Sequence, residues 1–169
     1  MDSTDNAWIQ KAVDRYERPL IHYASRLLGD ASGARDVVQE TFLRLCRQSP
    51  ADLDGHLAQW LFTVCRNRAL EIRRKEMRMQ VTAQLEPASN GAIAGRLDIE
   101  QQETQERIVK LLSRLPENQQ EVVRLKFQAG LSYREISGVT QLSVSNVGYL
   151  LHTALASLRR QLTTEGAGP

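Results

Sequence analysis

The sequence predicts an all-α protein: two small helical domains joined by a flexible linker. Three observations predict it. Apolar residues recur every three or four positions through most of the 169 residues, the spacing that lines one face of a helix. β-branched residues do not alternate, and no Asn-Gly or Asp-Gly pair lies between alternating apolar runs, so strand signals are nearly absent. The helical spacing fades from about Met79 to Ile99, where Pro87, Gly91 and Gly95 fall. Such a length is long for a loop inside one domain and natural between two. The expected boundaries are 8–78, a linker at 79–104, and 105–162.

In chain order, Val13, Tyr16, Leu20, Ala24 and Leu27 mark the first helical run. Pro19 interrupts it and predicts a kink or a helix start there. Gly29-Asp30 ends it, and Asp30 or Ser32 can cap the next helix, whose apolar positions are Val37, Val38, Thr41, Phe42 and Leu45. Ser49-Pro50 then breaks the pattern, with Ser49 a cap and Pro50 suited to a first helical position. A long helix follows, with Leu57, Trp60, Leu61, Val64 and Ile72 inward; on that stripe Trp60 reads as core. The linker is expected to be extended or mobile in isolation. The second unit begins near Gln102. Ile108, Leu111, Leu112 and Leu115 form one stripe, ended by Pro116; Val122, Val123 and Phe127 form another, ended by Ala129-Gly130. Ser132 and Glu135 have the spacing of a capping box. Ser143 caps the last helix, whose inward face is Val147, Leu150, Leu151, Ala154, Leu155 and Leu158.

Composition excludes several classes. No run of 18 apolar residues exists, so no membrane insertion is expected. The start, Met1-Asp2-Ser3-Thr4-Asp5-Asn6, is acidic and polar, unlike a secretory signal. Two cysteines and three scattered histidines give metal chemistry little to work with, and Cys46 and Cys65 read as buried structural thiols. No cofactor and no small-molecule substrate are expected, and the location is cytoplasmic. The net charge of +2 conceals a division. Residues 1–77 hold 12 basic and 11 acidic side chains, 78–106 hold 2 and 5, and 107–169 hold 8 and 4. A basic C-terminal unit suggests nucleic acid as partner.

Leu131 to Leu158 reads as a short helix, a tight turn and a longer helix, the shape of a helix-turn-helix. The outward face of the last helix carries Ser145, Asn146, Tyr149 and His152, side chains able to bond base edges or phosphates. Around this tract stand Leu115-Pro116-Glu117-Asn118-Gln119, Arg124-Leu125-Lys126-Phe127-Gln128-Ala129-Gly130 and Leu142-Ser143-Val144-Ser145-Asn146-Val147. Together they resemble region 4 of bacterial sigma factors. Ala34 to Leu45 and Trp60 to Arg74 resemble region 2 of the same proteins. Both occur in the family's order, with no room for region 3 between them, and the extracytoplasmic-function (ECF) group of the sigma-70 family is the one resembled. The resemblance covers about residues 8–77 and 105–162.

This resemblance implies a sigma factor, not an enzyme, that binds core RNA polymerase and directs it to promoter DNA. Asp36, Gln39, Glu40 and Leu43 would meet the polymerase. Arg66, Asn67, Arg73 and Arg74 would meet the −10 element, within a basic cluster that also holds Arg68, Lys75 and Arg78. The loop from Gln48 to Gly55 corresponds to the family's base-receiving loop, though its acidic Asp52 and Asp54 are unusual there. Lys126, Arg134, Ser145, Asn146, Tyr149 and His152 would meet the −35 element. An anti-sigma factor is a further possible partner. The linker's net negative charge suits a path through the polymerase.

Two departures stand out. Family members often carry basic residues where this chain has Gly148 and Leu150. The missing Gly148 side chain would let the helix approach DNA closely. Gln141 falls in the tight turn where glycine is common; either it adopts a left-handed conformation at some strain or the turn is built differently. A stand-alone helix-turn-helix regulator is the alternative, but it needs a dimer surface and a sensor that the sequence does not display. A nuclease or recombinase needs clustered carboxylates or a positioned nucleophile, and Asp52 and Asp54 are the only close aspartate pair.

Overall fold

The computed structural model describes residues 3–83 and 99–166. Among them every regular element is a helix, and they form two compact units.

The first unit comprises α1 (Ser3–Leu28), α2 (Ala31–Leu45), a 3-10 turn (Pro50–Leu53) and α3 (Leu57–Ala83). Helix α1 runs straight through Pro19 in hydrogen-bonding terms, neither starting nor stopping there. Proline removes one N–H and crowds the carbonyl four residues back. Here Leu20, Tyr23 and Ala24 are buried on the far side of it, so tertiary packing holds the helix together across the missing bond. Gly29 then takes φ 70 and donates its N–H to the Ser25 carbonyl. Asp30 caps α2, accepting from the backbone N–H of Ser32 and Gly33.

All five expected α2 core positions, Val37, Val38, Thr41, Phe42 and Leu45, are buried. The buried Thr41 hydroxyl donates to the Val37 carbonyl at 2.8 Å. In α3 the buried face is Leu61, Phe62, Cys65 and Ala69, whereas Leu57, Trp60, Val64 and Ile72 are only half-buried. The core aromatic of α3 is thus Phe62, not Trp60. Its ring meets Tyr23 edge-on, with centroids 5.4 Å apart, a favoured aromatic geometry. Cys65 is buried as expected, but Cys46, just past the end of α2, is exposed. Helix α3 continues to Ala83 and α4 opens at Ile99, both inside the stretch read as linker. The expected extended or mobile part lies outside the described residues.

The second unit comprises α4 (Ile99–Ser113), α5 (Glu117–Phe127), α6 (Tyr133–Thr140) and α7 (Val144–Gly166). Its core is Leu111, Leu112, Leu115, Val122, Val123, Leu125, Leu131, Ile136, Val139, Val147, Leu150, Leu151 and Ala154. Leu155 and Leu158 are half-buried. Two expected core residues lie outside: Ile108 and Phe127 are exposed. Phe127 is the last residue of α5, and the chain reverses through Gly130 at φ 71. Leu125 and Leu131 fill the interior instead, tied by the Leu131 N–H to the Leu125 carbonyl at 3.0 Å. At the far end, Glu165 of α7 accepts from Arg114 at 3.0 Å and from Arg107 at 3.4 Å, joining α7 to α4.

Candidate polymerase and nucleic-acid interfaces

The exposed side of α2 carries Asp36, Gln39 and Leu43. Leu43 is 60% exposed among charged neighbours, which leaves apolar area free for a partner. Glu40 sits at the margin and is already engaged. Its carboxylate accepts from Arg44 at 2.7 Å and from Arg68 of α3 at 2.8 Å. Arg68 also donates to Glu71 at 3.0 Å. Burial opposes ionisation of Glu40, but the hydrogen bonds from Arg68 and Arg44 outweigh it and hold the carboxyl below its usual range. Such partly exposed pairs contribute about 0–1 kcal/mol each. Their effect here is to fix the α2–α3 register. Arg68, one of the basic residues of α3, thereby also ties α3 to α2.

Along α3, Asn67 and Arg74 are exposed, and Arg66 and Arg73 are half-buried. The loop before α3 is pinned by Leu53, which is buried, while Asp52, Asp54 and His56 are exposed. The Asp54 carbonyl lies 3.1 Å from His56 Nδ1. Gly55 at φ 76 turns the chain into the helix. Trp60, near the start of α3, is half-buried.

In the second unit the turn chemistry predicted from sequence forms in full. Ser132 Oγ accepts from the Glu135 N–H at 3.2 Å, and Glu135 accepts from the Ser132 N–H at 2.7 Å. A cap of this kind is worth about 1 kcal/mol. Gln141 ends α6 at φ 64, the left-handed conformation rather than a rebuilt turn. Its N–H donates to the Ser137 carbonyl, its side-chain amide donates to the Gly138 carbonyl, and Ser137 Oγ donates to the Leu142 carbonyl at 2.6 Å. These bonds hold the strained residue in place. Ser143 Oγ then accepts from the Asn146 N–H at 3.1 Å and starts α7.

The outcome is a first stretch of α7 with Ser145, Asn146, Tyr149 and His152 all exposed, Tyr149 at 66%. Leu150 is buried, so its place in the family pattern serves the core in this chain. Arg134 is exposed on α6. Lys126 of α5 lies over the Tyr133 ring, its Nζ 5.4 Å from the centroid. Sequence reading missed Tyr133 as a member of this surface. The contact joins residues seven positions apart on two helices, so no local pattern signalled it. A Cβ at Gly148 would lie 3.6 Å from Cε2 of the Tyr133 ring, an ordinary packing distance.

Residues 105–158 match the family model for sigma-70 region 4, and residues 12–79 match that for sigma-70 region 2. The ECF RNA polymerase sigma factor EcfG of Rhodopseudomonas palustris is 30% identical over 150 residues, covering 86% of this chain and 80% of that one. This chain belongs to the ECF sigma factors. As a sigma factor it binds core RNA polymerase and directs initiation at promoters. SigL of Mycobacterium tuberculosis is 27% identical to this sigma factor over 166 residues, covering 97% of this chain and 94% of that one. Among solved structures, the sigma factor RpoE of Bartonella quintana, crystallised with the anti-sigma factor NepR, has a TM-score of 0.69 at 23% identity. The match covers 91% of this chain and 96% of that one. CnrH, solved with the cytosolic domain of CnrY, has a TM-score of 0.62 at 22% identity, covering 92% of this chain and 88% of that one. The all-α fold expected of this sigma factor is the fold these structures share. Among the described residues no helix is long and apolar enough to cross a membrane.

Proposed function

We propose that this sigma factor divides its work by surface. Asp36, Gln39, Glu40 and Leu43 on α2 dock on the core polymerase. Arg66, Asn67, Arg73 and Arg74 on α3 hold the separated strand at −10, the arginines on phosphates and Asn67 on a base. The loop of residues 48–55 receives an unstacked base. Lys126, Arg134, Ser145, Asn146, Tyr149 and His152 meet the duplex at −35, with α7 in the major groove. Residues 8–78 and 105–162 serve as the two domains, and 79–104 joins them. The protein acts in the cytoplasm as a specificity subunit, without a reaction of its own and without a cofactor. An anti-sigma factor, of the kind crystallised with RpoE, is a further partner.

The observation that carries this reading is the first stretch of α7. Four hydrogen-bonding side chains stand exposed together, on a helix whose opposite face is buried from Val147 to Ala154. Phosphate contacts place a protein on DNA and base contacts select the sequence. On that division α3 supplies mostly placement and α7 mostly selection. The test is run-off transcription from genomic fragments with purified core polymerase. Discrete transcripts that need this protein are the expected result, and their start sites define the −10 and −35 sequences. Tight sequence-specific binding without polymerase, and no transcripts, would favour the stand-alone regulator.

A further inference from the structure

The geometry points to Tyr133 as a positioning residue for promoter binding: its ring, seated in the space that Gly148 leaves free, holds Lys126 at the −35 surface. This rests on the −35 reading of the second unit given above. Three elements meet in the arrangement. Lys126 comes from α5, Tyr133 opens α6, and Gly148 lies in the second turn of α7. The Lys126 ammonium sits 5.4 Å from the Tyr133 ring centroid, within the range of a cation–π contact. The ring's other neighbour is α7. A Cβ at position 148 would lie 3.6 Å from Cε2 and 3.9 Å from Cδ2, which is ordinary packing distance. Glycine or alanine therefore leaves the ring in place. A longer side chain that continues toward Cε2 competes with the ring for its volume.

The arrangement answers a deficit. Helix α7 has no lysine or arginine before Arg159, so a cation for its groove must come from a neighbouring element. A lysine stem is flexible and its charge is a compact, strongly hydrated point. An aromatic face beneath it narrows the positions it samples before DNA arrives. Glu135, two positions after Tyr133, accepts from the Ser132 N–H. Tyr133 thus acts through Lys126, and Gly148 acts through Tyr133.

The experiment uses holoenzyme reconstituted from core polymerase and full-length chain, bound to a promoter identified by run-off transcription, across a salt series. Each phosphate contact contributes about 0.9 to the slope of log affinity against log salt. Lys126→Met should lower that slope by about this amount. Tyr133→Leu should lower it part of the way and weaken binding about two- to five-fold at low salt, the size expected of an exposed cation–π contact. Tyr133→Phe, which keeps the ring, should restore both. Gly148→Gln should behave like Tyr133→Leu, and the Lys126→Met/Tyr133→Leu double variant like Lys126→Met alone. Thermal unfolding of each variant checks that the helices remain folded. A wild-type slope in Tyr133→Leu, a wild-type slope in Lys126→Met, or additive losses in the double variant would each overturn the inference. Failure of the wild-type holoenzyme to initiate at any promoter would instead overturn the −35 reading, and the inference with it.

Discussion

Helices α3 and α7 are the two helices to which we assign the DNA contacts, and their charges follow opposite principles. Between positions 66 and 78, α3 carries Arg66, Arg68, Arg73, Arg74, Lys75 and Arg78 against Glu71 and Glu76. Over its first 15 residues, α7 carries none of either sign. The first can hold a nucleic-acid backbone of almost any sequence, at a strength that falls steeply with salt. The second has little long-range attraction, and in the proposed reading it relies on direct hydrogen bonding at base edges. In that reading one chain separates grip from discrimination, and tethering through the polymerase lets the weaker partner work.

The comparison can be broken most severely on α3. Arg73→Ala with Arg74→Ala should reduce initiation more than ten-fold at moderate salt, and should lower the magnitude of the salt slope by about 1.4–1.8 on single or double strands. Filter binding of holoenzyme across a salt series measures this. Next in size is the docking face. Leu43→Asp should weaken association with core polymerase several-fold without lowering the melting temperature, because Leu43 is already exposed; competition for core polymerase reads it directly.

On α7 the expected effects are smaller. Gly148→Ala should stabilise the second unit by about 1 kcal/mol, the usual helix preference of alanine over glycine, while promoter affinity stays at wild type. That result would dismiss close backbone approach to DNA as the reason for the glycine. The smallest effect tests the first unit's charge itself. Burial, then the neighbouring Arg18 and Arg26, lower the His22 pKa from its ordinary 6.5. Its neutral form is therefore the folded one. The stability it contributes is present above pH 6.5 and declines as pH falls through the lowered value, because the unfolded chain takes up the proton first. Since His22 is only half-buried, the decline should be well under about 1 kcal/mol. His22→Gln should flatten it in urea melts between pH 7 and 5.

Much of this is legible in the sequence wherever the cause is local. The Asp30 cap, the Ser132–Glu135 box, the Ser143 cap and the buried stripe of α2 depend on residues within four positions of one another. Sequence reading lost ground where the cause lay across the fold. Pro19 reads as a breaker, yet the helix survives because its buried face spans it. Trp60 and Phe62 sit two positions apart, and only packing against Tyr23 decides which ring goes inside. Phe127 fits its stripe by spacing but falls at a helix end, where Leu125 and Leu131 take the interior. Arg68 and Glu40 are 28 positions apart, and nothing in a local pattern pairs them. The Lys126–Tyr133–Gly148 contact joins three helices and was invisible for the same reason.

The two cysteines acquire a practical meaning. Cys65 is fully buried, and burial pushes its thiol up to about 12, only partly offset by a hydrogen bond with Thr41. Cys46 is exposed, one residue beyond α2. Thiolate, not thiol, reacts with electrophiles. The unaltered sequence therefore offers one addressable attachment point for a maleimide dye, at the end of the helix whose face is assigned to the polymerase. Fluorescence from that single label would follow holoenzyme assembly in real time, with no engineered cysteine and no cysteine removed.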